Sequence, residues 1–392
     1  MRPDYSTITP AVVRHTAQAV LQQALPWKPY GRLVTVARLL GLLLLLAALR
    51  SSLSAVVRRF RFGFSHETAR QAVQANLPDR DTLTTALVDA LYQLGGRLLR
   101  RRRWVVAFDL HLRPFYGDHA TAGIVGGQKK QGTNYFYGYA TAELVHRRHR
   151  YTVGLVALEA NVKPHEVAAA LLAQLDQRGL RLRGVVLDSG FDSGETLLLL
   201  QQRGLAYTVP LRRKGRGSNR RNACFALPVG TIGTVDWVTE DSRRPVQTEV
   251  VVGQRRGQKK VQVYAFGGWR AAQAVNATQA AAAARQARQW YRRRFGIETS
   301  YRQLHEGLGR TTKKDVGYRL LLVGIALLLR QVWVWLTWQL ARSRGVRPTA
   351  WLEELPLQRL LDWLADTLQQ QYPERKVIEL GQPLPFPEGL QP

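Results

Sequence analysis

Three features of the sequence predict an α/β protein. Residues 1 to about 100 carry helix-period apolar patterning with no alternating strand, residues 104 to 210 alternate strands with helices, and residues 211 to about 280 hold further strands before two more helical stretches.

Composition sets the frame for function. The 392 residues suffice for two or three domains, and 57 Lys plus Arg against 28 Asp plus Glu leave a net charge of +29. So basic a chain calls for a polyanionic partner, nucleic acid first and an anionic membrane second. Cys224 is the single cysteine, which excludes an intrachain disulfide framework and a multi-thiolate metal site and suits a reducing cytosol. The start "MRPDYSTITPAVV" lacks the charged and apolar regions of a secretory signal, so a cytoplasmic, nucleoid-associated protein is expected.

No membrane partner is expected. The run Leu39 to Leu49 has 11 residues, whereas a hydrocarbon core needs about 20. Leu320 to Leu340 is longer, but Arg330 and Gln331 interrupt it midway, and a central arginine is expensive in lipid. Both stretches read as buried helices.

Within the helical region (1–100), "LSAVVRRFRFGFSHETARQAVQANLP" predicts a helix, a short turn at Gly63 and a second helix capped by Ser65 and stopped by Pro78. The spacing is compatible with a helix-turn-helix presenting His66, Thr68, Arg70 and Gln71 to a DNA groove, or with two ordinary packed helices. The basic run "RLLRRRRW" then leads into the core (101–345) as a solvated linker or a phosphate contact.

In that core "RWVVAFDL", "TNYFYGYATAEL" and "RYTVGLVALEA" are strands, with Asp109 near the end of the first. Pro164 opens a helix that Gly179 closes; "GVVLD" is a buried strand ending at Asp188, followed by the helix "SGETLLLLQQRG" and the strand "LAYTVPL". The order βββαβαβ, with carboxylates at the ends of its first and fourth strands, is that of a ribonuclease H-like core. Residues 211–280 read as a small β insertion with a basic hairpin tip, and the next core helix begins near Gln279. From Tyr318 an apolar helix with Trp333, Trp335 and Trp338 closes the core, leaving 346–392 as a peripheral tail.

The chemistry concentrates in "YRRRFGIETSYRQLH". On one helix, Tyr291, Arg294, Glu298, Arg302 and His305 share a sector of roughly 80°. A glutamate flanked by cations at i−4 and i+4 is ordinarily a surface ion pair worth a few tenths of a kcal/mol. Asp109 and Asp188 give it a different context: two carboxylates at adjacent strand ends repel each other, and a divalent cation removes that cost. Three carboxylates with DNA phosphates would suit two Mg²⁺ or Mn²⁺ ions, leaving the arginines and tyrosine to hold the DNA backbone.

The segments "FDLHLRPFYG", "VVLDSGFDSGETLLLLQQRGLAYTVP" and "RRRFGIETSYR" resemble, in this order, the catalytic segments of DDE insertion-sequence transposases of the Tyr-Arg-Glu-Lys type, including the halobacterial-type branch. The resemblance spans residues about 104 to 340. It implies an α/β, ribonuclease H-like catalytic core with a β-strand insertion, Mg²⁺-dependent cleavage of transposon ends, and joining to target DNA by a protein that pairs two ends, hence a homodimer on DNA. It also implies Asp109, Asp188 and Glu298 as catalytic, metal-holding carboxylates, with Tyr291 and Arg294 in the motif's Tyr and Arg positions. Seven residues after Glu298 the family's Lys is replaced by His305, which is often neutral at pH 7, leaving Arg302, Lys313 or Lys314 to supply the phosphate contact. The alternative is a catalytically inactive or domesticated, sequence-specific DNA-binding relative.

Other residues have plainer readings. Asp118 and Asp192 suit a loop and a helix start, Glu195 and Glu306 face solvent, and His111 lies beside a metal carboxylate as support or ligand. Trp237 and Trp269 either fill a small β core or stack on an unpaired base.

Overall fold

The computed structural model describes residues 7–100, 102–146, 149–214, 220–254, 261–269, 277–294, 296–345 and 355–375. The N-terminal region is helical as expected: α1 (Pro10–Ala24), α2 (Val36–Ala48), α3 (Leu53–Arg59), α4 (His66–Asn76) and α5 (Arg80–Arg100). Thr9, Thr35, Ser52 and Ser65 each accept the backbone N–H three residues on, so the first four helices start on a hydroxyl that satisfies an otherwise orphaned donor. The turn between α3 and α4 holds Gly63 at φ 80°, a left-handed conformation that costs a glycine little. Every residue from Leu39 to Ala48 is buried, which is why α2 is apolar all round.

The core is one mixed sheet. It comprises β1 (Trp104–Pro114), β2 (Ile124–Lys130), β3 (Thr133–His146) and β4 (His149–Ala157), then α6 (Pro164–Gln177), β5 (Leu182–Leu187), α7 (Gly194–Gln202) and β6 (Ala206–Pro210). After α8 (Arg220–Ala223) come β7 (Ile232–Val238), β8 (Pro245–Gln254) and β9 (Val261–Gly267). The strand order is β2-β3-β1-β5-β6-β9-β8-β7, with β4 also paired to β3. β1 runs parallel to β5 and β5 to β6, and the other neighbours are antiparallel.

Three sequence expectations need correction. β2 is a fourth strand ahead of α6; its "IVGGQKK" lacks apolar alternation because only Ile124 and Val125 are buried while the rest lies exposed along β3. The strands of 211–280 form no separate sheet: β9 pairs with β6, so they continue the central one. Their hairpin tip, 255–260, lies outside the described residues.

The C-terminal segment is also not peripheral. α12 (Leu357–Gln371) buries Leu360, Leu361, Leu364 and Leu368 completely, at the spacing of one helix face, and packs on α1 and α2. Tyr372 stacks on Phe62 with ring centroids 4.3 Å apart, and residues 373–375 pair with 59–61 through backbone hydrogen bonds and an Arg59–Glu374 ion pair of 2.8 Å. The last described residues therefore brace the turn between α3 and α4.

Helix α9 (Ala277–Arg294), α10 (Gly296–Glu306) and α11 (Val316–Ser343) complete the core. By length and composition α11 is able to cross a membrane, yet it is buried against α5, α1 and β4. Its central Arg330, 1% exposed, donates to Glu143 Oε1 at 2.8 Å, and Gln331 donates to the carbonyls of Leu91 and Thr152. The two polar residues that interrupt the apolar run thus join the helix to the sheet, where every polar group needs a partner.

Candidate active site

The parallel pairing of β1 with β5 places the first two carboxylates. Phe108 is the register partner of Leu187, and the Asp188 N–H donates to the Phe108 carbonyl at 3.1 Å, so Asp109 and Asp188 follow each other across adjacent strands. Asp188 lies just past β5, whereas β1 continues to Pro114; Asp109 sits mid-strand, at the point where parallel pairing ends and only β3 remains beside it. The chain stays tight there, since a Cβ on Gly190 would come within 2.5 Å of Leu110 Cδ1.

Arg294 comes between the two carboxylates. Its Nη1 is 3.2 Å from Asp109 Oδ1 and its Nη2 is 3.6 Å from Asp188 Oδ1. Nη2 also donates to the Tyr291 hydroxyl at 3.4 Å, and Tyr291 packs on Tyr264. Burial pushes the Asp109 carboxyl up to about 7, with Arg294 opposing that rise and Asp188 adding to it. Burial works against the Arg294 charge, but Tyr291, Asp109 and Asp188 outweigh it and its pKa rises. Tyr291 is raised to about 12, mainly by burial. Both motif residues are therefore inside the site with under a tenth of their surface exposed, where the sequence reading had them facing a DNA backbone.

The rest of the motif lies further along the chain. The motif runs from α9, described to Arg294, into α10, described from Gly296; Phe295 between them lies outside the described residues. Glu298 belongs to the first turns of α10, and its side chain lies outside what the structure describes. On either side of it, Arg294 meets Asp109, and the Tyr301 hydroxyl is 2.9 Å from Thr141 Oγ1, Thr141 being the cross-strand partner of Asp109.

Tyr301 was not singled out by sequence, although it stands three residues after Glu298 and four before His305 and so shares their side of the helix. His111 stacks on it with centroids 4.7 Å apart, and His305 meets His111 edge-on at 5.1 Å. The buried His111 Nε2 makes no hydrogen bond, and burial first, then His305, Arg113 and Lys130, lowers its pKa to about 3. His305 is lowered too, by burial, Arg113, Arg50 and Lys130. Neutral imidazoles thus occupy the position where the resemblance implied a cation.

The remaining candidates separate. Arg302 and Lys314 are exposed, and the Lys314 carbonyl accepts from the Tyr137 hydroxyl at 3.1 Å. Lys313 is half-buried, with Nζ against the Gln74 side chain and 5.2 Å from the Tyr318 ring centroid. Asp192 is buried in an ion pair with Arg221 and accepts the Arg212 N–H at 2.6 Å, turning it away from a metal role. Asp118 is exposed in the β1–β2 loop, where its carboxylate accepts the Ala120 N–H at 2.9 Å. Trp269 donates to the Tyr207 carbonyl at 2.7 Å and is a core residue; Trp237, partly buried, lines a cavity of about 460 Å³ with Lys214 and Arg221.

Glu195 is half-buried instead of facing solvent, and accepts the N–H groups of Asp241 and Ser242. With His165 and Asp241 it forms a trio whose ligand atoms lie within 4.8 Å of one another. Lys163 Nζ is 3.6 Å from Asp241 Oδ1, and His165 and Glu195 sit on the first turns of α6 and α7, where helix dipoles repel a cation. The Asp109–Asp188 pair suits a divalent ion better: two carboxylates where the parallel pairing of β1 with β5 ends, at least one buried, with a single guanidinium to balance them.

This sheet has counterparts among known proteins. A family model described as the transposase DDE domain matches residues 100–329, more than half of the chain. The chain belongs to the DDE transposase domain family. Transposases of this family use divalent metal ions. The structure is also similar to the piggyBac transposase in the cryo-electron microscopy structure of its synaptic complex with hairpin DNA, with a TM-score of 0.56 and 12% identity over 93% of this chain and 81% of that one. At that identity the likeness concerns the fold, which agrees with the expected ribonuclease H-like core and helical N-terminal region. Comparison with curated protein sequences gives no match. Within the transposase domain, the matched segment covers Asp109, Asp188, Glu298 and Arg294 together.

Proposed function

We propose that this chain is a DNA transposase that cuts the ends of a mobile element and joins them to target DNA, with Asp109, Asp188 and Glu298 as its catalytic carboxylates. The observation that carries this reading is the placement of Asp109 beside Asp188, under the α9–α10 segment to which Glu298 belongs. The three residues would hold two Mg²⁺ or Mn²⁺ ions, which supply activation of the attacking water or 3′-hydroxyl and stabilisation of the leaving oxygen.

The chain's own residues prepare that site. Arg294, hydrogen-bonded to Tyr291, lies between the two aspartates and opposes the burial that pushes the Asp109 carboxyl up. The Tyr301–Thr141 hydrogen bond fixes α10 over β3, next to Asp109. Arg302, Lys313 and Lys314 carry positive charge for the DNA backbone, while His305 and His111 form a neutral wall. Double-stranded DNA, both terminal repeats and target, is the partner, and pairing of two ends requires a homodimer. Such a protein would work in the cytoplasm, at the nucleoid.

The reading as a transposase of the Tyr-Arg-Glu-Lys type rests on Tyr291, Arg294 and Glu298, with His305 as its departure. His305 is also what favours the second reading, an inactive or domesticated DNA-binding relative. Purified protein incubated with labelled ends of its own element and Mg²⁺, followed by sequencing of the products, decides between them. Defined 3′-hydroxyl ends at the repeat boundary support transposition, and intact DNA under conditions where the protein binds supports the second reading.

A further inference from the structure

A groove of about 430 Å³ lies between the N-terminal helices and the segment that leaves α10. One wall is α3 and α4, with Ser52, Ser54, His66 and Arg70; the other is Arg310, Thr311, Thr312 and Lys313. The walls are tied together: the Arg310 N–H donates to the Ser51 carbonyl at 2.8 Å, and Lys313 Nζ bonds the Gln74 side chain. The groove is thus formed before anything enters it.

Its chemistry is that of an anion site. Cations and hydroxyl donors line both walls, and Glu67, the one acidic residue among those lining it, has its carboxylate engaged by Arg70 Nε at 2.9 Å and by Nη2 at 2.5 Å. His66 Nε2 is 2.9 Å from Arg58 Nη2. The α4 residues His66 and Arg70 line a groove shared with Lys313.

The groove also connects to the site. Thr311 lines a second, smaller cavity with Arg113, Tyr137 and Arg319, and the Arg319 guanidinium stacks over the Tyr137 ring at 4.2 Å. Arg113 lies on β1 four residues after Asp109, hence on the same face and about 13 Å along the strand. Arg319 and Arg113 therefore place positive charge between the groove and the strand that carries Asp109.

We propose that this groove holds the sugar-phosphate backbone of the DNA whose end enters the site, so that the N-terminal helices and the 310–313 segment position one duplex together. The inference rests on the DNA reading above and adds where and how the duplex is gripped. Because phosphate contacts are independent of sequence, a fluorescein-labelled duplex of about 25 base pairs and arbitrary sequence serves as the probe.

The test is anisotropy across a salt series with the full chain. Arg310→Gln/Lys313→Gln is compared with Arg342→Gln/Arg344→Gln, a pair of exposed arginines with the same change in charge about 36 Å further along α11 than Tyr318. The groove pair is expected to bind at least about tenfold more weakly and to flatten the slope of log K against log salt by about 2, as loss of two phosphate contacts requires. Equal behaviour of the two pairs, with duplex binding intact in the wild type, overturns the groove alone. Failure of the wild type to bind any duplex overturns the DNA reading as well. A second measurement needs no variant: acylation of lysines in the wild type, read by mass spectrometry, should find Lys313 protected by the duplex, and unchanged Lys313 reactivity contradicts the proposal.

Discussion

Arg294 and Asp109 form a buried ion pair, Nη1 to Oδ1 at 3.2 Å, with each residue about 5–6% exposed. The pair joins the end of α9 to the middle of β1, and Asp188 makes it a triad. Removing one member of such a pair leaves a charge without compensation, a cost of about 3–5 kcal/mol. Asp109 has a partial escape, since its carboxyl already titrates at about 7 and takes up a proton once the pH is low. Arg294→Gln should therefore destabilise the fold more at pH 8 than at pH 6, read from urea unfolding in the presence of a chelator. An equal loss at both pH values would contradict this account of the triad.

The same raised carboxyl sets a pH dependence in the wild type. An ordinary aspartate titrates near 3.9, so between about pH 4 and pH 7 the folded chain holds a proton at Asp109 that the unfolded chain has lost. Its contribution to stability is full below the lower value and disappears as the pH rises through the upper one. In chelator, wild-type stability should decline across that window, and Asp109→Asn should flatten the decline. Mg²⁺ competes with that proton, so the rise in Tm on adding Mg²⁺ should be larger at pH 8 than at pH 6.

Arg330 and Glu143, both 1% exposed, offer a second buried pair, remote from any surface and joined to Thr152. Arg330→Met alone should cost about 3–5 kcal/mol, whereas the double variant with Glu143→Gln should recover part of it because the Glu143 carboxylate no longer lacks its guanidinium. Chemical denaturation of the four members of the cycle measures this coupling.

For the C-terminal helix, Leu364→Ala should cost about 2–5 kcal/mol, the usual range for a fully buried leucine. A helix lying loosely on the surface would lose under 1 kcal/mol, so the thermal midpoint of this variant separates a built-in α12 from an appended one.

Much of this fold is written in local patterns. Helix caps at Thr35, Ser52 and Ser65, the apolar strands that precede Asp109 and Asp188, and the interrupted α11 all follow from residue type and spacing. What local pattern hides is pairing. β2 is held by an edge contact with β3, and "IVGGQKK" carries little apolar signal of its own. That β7–β9 extend the central sheet depends on the long-range register of Tyr207 with Gly267, which no period announces. The proline content around α12 suggested a tail, while the leucine spacing at 357, 360, 361, 364 and 368 carried the true signal.

In the site, residue types were legible and directions were not. Asp109 and Asp188 could be paired because both follow short apolar strands. Arg294 and Tyr291 were assigned to the DNA backbone, whereas Arg294 is buried against Asp109 and Asp188 with Tyr291 buried beside it. His111 gains its place from stacking on Tyr301, a contact between β1 and α10 that only the folded chain creates.

The central claim is that Asp109, Asp188 and Glu298 act together on a DNA phosphate. It is tested most directly by strand cleavage of labelled native element ends in Mg²⁺ by Asp109→Asn, Asp188→Asn and Glu298→Gln, each with duplex binding measured alongside. The account predicts that every one of the three cleaves at least about a hundredfold more slowly, a loss of about 2.7 kcal/mol or more of transition-state stabilisation, while binding stays within a few-fold of the wild type. Wild-type cleavage by any of the three would contradict it.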